Sequence, residues 1–136
     1  MHQPFASKEL PERYDVLAPD GSEIRLLAGL AGGSMVHCRL PPGAVSLAVT
    51  HRTVEEHWYV IAGFGRLWRR QGEREETAAL RPGTAHTLPL GTWFQFRNDG
   101  AEPLDVVIVT MPPWPGMDEA VRVPDHWPAP PRAVAV

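Results

Sequence analysis

Glycine and proline interrupt this chain too often for any long regular element to form, and that constraint decides the fold class before any other feature. The sequence holds 12 glycines and 15 prolines in 136 residues, set between short β-branched or aromatic runs rather than gathered into one low-complexity block. Asp20-Gly21 turns into the run 24–27, Gly32-Gly33 precedes 35–40, and Pro41-Pro42-Gly43 closes that run. From Val45 to His51 apolar residues alternate with Ser46, Ala48 and Thr50, which puts His51 on the same face as Val45, Leu47 and Val49. Strands are also expected over 56–62, 66–70, 84–88, 92–97 and the very apolar 104–111, with turns at Gln71-Gly72 and Asn98-Asp99-Gly100 among others. No stretch of ten or more residues in the body of the chain carries a 3.6-residue apolar period, and Pro11 disfavours a helix over 7–10.

These features predict one all-β domain over residues 1–136, its core spanning about 14–111. The tail, 112–136, holds Pro112, Pro113, Pro115, Pro124, Pro128, Pro130 and Pro131, too many for a ladder, and is expected to form an extended Pro-rich C-terminal strap. A net charge of -3 comes from interspersed acids and bases, so neither a nucleic-acid stripe nor a polybasic membrane patch is present. Cys38 is the single cysteine, no apolar run approaches spanning length, and the first residues lack the pattern of a secretion signal. A cytoplasmic protein is the expectation, with no nucleic-acid or membrane partner.

Gly43, Val49, His51, Glu56 and Gly63 fall in register on the pattern G-x5-H-x-H-x3or4-E-x6-G, and Gly83, Pro89, Gly91, Phe94 and Asn98 on G-x5-P-x-G-x2-H-x3-N. In this spacing the chain resembles the cupin family. The resemblance covers residues 43–98 directly and implies a small double-sheet jelly-roll barrel, a homodimer, and a small-molecule ligand held inside the barrel. It also implies that a metal would be held at positions 49, 51, 56 and 94. Val49 and Phe94 have no lone pair to offer there, which leaves His51 and Glu56. A third donor is His86, which shares a strand face with Leu88. If it approaches the Phe94 position, His51, Glu56 and His86 form a relocated triad for one divalent transition metal.

Three functional readings stay open. The first is a metal-dependent isomerase, lyase or oxygenase with an incomplete ligand set. The second is a metal-free ligand-binding or sensing module in which His51 and Glu56 are a hydrogen-bonded pair. The third is a metal-free isomerase or cyclase with His51 as catalytic base and Glu56 as its orienter. In all three, Trp58, Phe94 and Phe96 line the substrate-binding face, with plain core packing the competing account of Phe96. Strand parity turns Glu55 and His57 outward, and it places His37 with Arg39 on the outer face opposite Cys38. By the same parity Gln95 and Arg97 are expected as surface or dimer groups, while Trp114 and Trp127 pin the tail to the barrel.

Overall fold

Eleven short strands follow the glycine and proline punctuation in the computed structural model, which describes residues 2–129. They are β1 (Val16–Leu17), β2 (Glu23–Leu30), β3 (Gly33–Leu40), β4 (Val49–His51), β5 (Glu55–Ala62), β6 (Gly65–Gln71), β7 (Arg74–Leu80), β8 (Ala85–Leu88), β9 (Trp93–Asn98), β10 (Leu104–Met111) and β11 (Ala120–Arg122). One sheet runs β1-β2-β3-β10-β5-β8 and the other β11-β4-β9-β6-β7, with every pairing antiparallel. This is the double-sheet jelly roll that the cupin resemblance implies. Among the described residues no helix is long and apolar enough to cross a membrane.

The two sheets meet through alternate residues. Leu40, Val60, Leu67, Leu80, Phe96, Leu104 and Val106 are fully buried. Leu67 and Phe96 lie directly across from one another on β6 and β9, and burying each such side chain contributes about 1.5–3 kcal/mol. The corner after β5 needs its glycine on two counts: Gly63 sits at φ +87°, and a Cβ there would lie 2.5 Å from the carbonyl oxygen of Pro103.

The strands depart from the sequence expectation at β1, β7, β11 and the run 45–51. β7 was not anticipated, because Arg74, Glu75 and Glu76 mask any alternation; it is an edge strand, where charge is common and deters further pairing. The run 45–51 forms a regular ladder only at Val49–His51. Before that, Val45 makes an isolated bridge to Arg97, and Ser46 donates its N–H to the Phe96 carbonyl and accepts the Phe96 N–H on Oγ.

Parity is right for the outer faces, but exposure is not: the returning tail covers Gln95, and long side chains of neighbouring strands surround His37. Gln95, expected at the surface, is completely buried. Its Oε1 accepts the N–H groups of His126 and Trp127 at 2.9 and 2.8 Å, and its Nε2 donates to the carbonyls of Ser46 and Trp127. The tail also supplies a strand: β11 lies in its proline-free stretch and pairs with β4, so the prolines exclude a ladder only where they stand. Pro130 and Pro131 lie outside the described residues. On the other sheet His37 is buried at 2% exposure. Arg25, its cross-strand partner, reaches over to the carbonyls of Pro11 and Glu12, and Arg39 grips Asp105 with two hydrogen bonds.

Gln95→Leu keeps the volume but strands two buried N–H groups and two carbonyls. It is expected to destabilise the fold by about 3 kcal/mol, measured by chemical denaturation; a loss below about 1 kcal/mol would mean that the tail is held elsewhere.

Candidate functional site

At one end of the barrel the sheets do not close on each other, and a cavity of about 510 Å³ remains. Sheet periodicity explains its inner wall. Val49 pairs with Phe94 in register, and His51, two residues further along β4, shares their face. From the facing sheet come Cys38, Glu56, Trp58, Ile108 and Thr110, again at alternate positions. The mouth lies by β2 and the returning tail. β2 carries an extra residue between Leu26 and Gly29 relative to β3, and this bulge brings Leu27 and Ala28 to the rim. Pro113, Trp114, Met117 and Ala120 close the opposite side.

Glu56 is the polar centre of this space. Thr110 is its cross-strand partner and donates from Oγ1 to Oε2 at 2.9 Å, while Trp58, two residues along β5, donates its indole N–H to Oε1 at 3.0 Å. Burial pushes the carboxyl up to about 7, against the pull of those two donors toward the ionised form. His51 moves the other way: burial pushes it down to about 4, although Glu119 favours its charged form. At neutral pH the imidazole is therefore uncharged and Glu56 is divided between acid and carboxylate. Edge-on contacts from Phe94 and Trp114, each with ring centroids 5.1 Å away, hold the His51 ring.

Glu119 fixes the tail behind His51. Burial opposes its charge, but hydrogen bonds from Thr53 N–H, Thr53 Oγ1 and Val54 N–H hold its carboxyl below the usual value.

The structure gathers His51, Glu56, Trp58 and Phe94 around one cavity. Phe96 is not on its wall: it lies fully buried against Trp58, with ring centroids 4.9 Å apart, in the packed part of the core. His86 does not join the site either. The β5–β8 register sets Leu88 opposite Glu56 and His86 opposite Trp58, and His86 Nε2 is engaged with Thr84 Oγ1 at 2.9 Å. The proposed His51, Glu56 and His86 triad is thus not assembled, and no cluster of three metal-ligating side chains occurs among the described residues.

Nor does a hydrogen bond join His51 and Glu56 among the described residues; the carboxyl oxygens receive Trp58 and Thr110 instead. A transition metal fits this set of donors poorly. Val49 and Phe94 contribute none, and the two Glu56 oxygens are engaged by Trp58 and Thr110. Sequence reasoning missed Thr110, Trp114 as a cavity wall, and Glu119. Thr110 carried a usable signal, a hydroxyl on the inward face of the most apolar strand. Glu119 carried none.

Residues 36–110, more than half of the chain, match the Cupin domain family. The chain is a cupin. Xanthan biosynthesis protein XanB of Xanthomonas campestris pv. campestris is 31% identical over 86 residues, 63% of this cupin and 18% of XanB. The chain thus spans less than a fifth of that relative's length. Among solved structures, KdgF from Halomonas sp. superposes with a TM-score of 0.62 at 20% identity, covering 74% of this cupin and 88% of KdgF. Oxalate decarboxylase from Bacillus subtilis gives 0.66 at 17% identity, covering 79% of this cupin and 29% of the enzyme. At such identities these likenesses establish the fold and leave the chemistry to the site.

Two measurements probe this geometry. A carboxyl raised from its ordinary 4.5 to about 7 on folding contributes stability that is complete below pH 4.5 and lost as pH rises through 7. The stability of Glu56→Gln relative to the parent should therefore rise over that interval, by up to about 1.4 kcal/mol per pH unit, in pH-dependent denaturation. A difference that stays constant would show Glu56 titrating normally. Secondly, Val49→His with Phe94→His places two imidazoles side by side next to His51. Calorimetry should show the double variant gaining a divalent-metal site that the parent lacks; equal binding by the two proteins would mean that the cavity wall has drifted from the family geometry.

Proposed function

We propose that this cupin is a metal-free binding protein for a small, largely apolar molecule, held between the two sheets and oriented by Glu56 and His51. The observation that carries this reading is the cavity itself: about 510 Å³, enough for a drug-sized ligand, with hydrocarbon and aromatic walls among which Asp20, Cys38, His51 and Glu56 are the titratable side chains. Trp58, Phe94 and Trp114 offer flat apolar surface. Glu56 offers a hydrogen-bonding group whose protonation can follow the ligand's needs.

A second reading rests on that same carboxyl. A group that titrates near 7 is suited to proton transfer, so a metal-free isomerase would use Glu56 as its acid or base. His51, neutral down to about pH 4, is the weaker base of the two. In such an enzyme the cavity would still bind its substrate without metal, so one test addresses both readings at the level of binding.

Titration with prodan, a neutral naphthalene dye whose emission reports an apolar environment, should show one saturable site per chain that survives treatment with a chelator. Val36→Trp, which fills the wall, should abolish it while leaving the circular dichroism spectrum unchanged. Absence of saturable binding, or its loss on chelation, would refute the metal-free pocket.

A further inference from the structure

The ligand's charge can be read from what the cavity lacks and what it holds. Among the described residues no lysine or arginine lines it. It presents two carboxyls, Glu56 and Asp20, and an imidazole, His51, that burial keeps neutral at pH 7. Trp58 donates to one Glu56 oxygen and the Thr110 hydroxyl bonds the other, which leaves a lone pair on each oxygen to accept from a ligand. A carboxylate held by two neutral donors in an apolar cavity still lacks a counter-charge, and a buried charge is tolerated where a partner of opposite sign is supplied.

We propose that the missing partner is the ligand: an organic monocation, an ammonium group carried on an apolar or aromatic body, bound with its N–H groups toward Glu56. This rests on the metal-free pocket reading and adds the class of molecule. The aromatic walls suit it, since the faces of Trp58 and Trp114 attract cations as well as hydrocarbon. The neutral His51 ring offers a lone pair, which an ammonium can donate to and an anion cannot use. The surrounding charges act in the same sense: Asp20 and Glu119 both make the Glu56 region more negative, and each raises its affinity for a proton. An anionic ligand would meet Glu56 with no cationic side chain lining the cavity to offset the repulsion.

The test is a matched series at pH 7 by isothermal calorimetry: 2-phenylethylamine, 2-phenylethanol and phenylacetate, which share one aromatic body and differ in charge. The amine should bind at least about tenfold more tightly than the alcohol, and phenylacetate more weakly than either. Because burial raises the Glu56 carboxyl into the neutral range, amine binding to its ionised form should also release protons, seen as a dependence of the heat on buffer ionisation. In Glu56→Gln, with folding checked by thermal melting, amine and alcohol should bind alike and the proton release should vanish. If the alcohol or phenylacetate binds the parent as tightly as the amine while prodan still binds, the cation preference is wrong and the apolar pocket stands. If neither the series nor prodan binds, the pocket reading itself fails.

Discussion

The Trp58 indole marks where the packed core ends and the cavity begins, and much of the site depends on it. One side meets Phe96 with ring centroids 4.9 Å apart, on the end filled by Leu40, Leu67 and Leu104; the other meets Phe94 at 5.8 Å, on the hollow end. Its N–H must find an acceptor once buried, and Glu56, two residues away on the same strand face, supplies one. The same bond therefore orients the largest side chain in the barrel and immobilises the carboxyl that faces the cavity. Thr110 completes the arrangement from the neighbouring strand, because the β10–β5 register sets it directly across from Glu56.

Closure of the cavity depends on the chain's return after β10. A barrel of this size leaves its end open, and here the tail supplies Trp114 and Met117 as a wall before β11 joins the sheet beside β4. Two buried polar anchors hold it: Glu119, which receives the N–H groups of Thr53 and Val54, and Gln95, which pairs with the backbone at His126 and Trp127. Both lie where hydrogen bonds are shielded from water, so leaving their partners unpaired is costly.

Electrostatically the site inverts the usual order of its two residue types. Isolated in water, histidine is more basic than glutamate by about two pH units. Burial disfavours charge on either group, and so it lowers the imidazole to about 4 and raises the carboxyl to about 7. The group poised to exchange a proton near neutrality is consequently Glu56. A reading that assigns the base by residue type alone would choose His51.

Much of this protein was legible in the residues. The glycine and proline spacing and the period-two runs determined an all-β chain, because turn geometry and strand alternation are local properties that each short segment carries by itself, while the jelly roll came from the resemblance of the motif spacing to the cupin family. Alternation also placed His51, Glu56, Trp58 and Phe94 on inward faces, where the structure has them. It failed where contacts are distant in sequence. Inward parity could not say that His86 sits opposite Trp58 and bonds Thr84, since strand register across β5 and β8 is set by the assembled sheet. Parity put Gln95 and His37 on outer faces but could not say that the returning tail would cover Gln95 or that Arg25, Arg39 and Asp105 would surround His37. The protonation of His51 and Glu56 was likewise beyond the sequence, because a pKa shift depends on the water removed by every neighbour at once, and only the folded chain decides which neighbours those are.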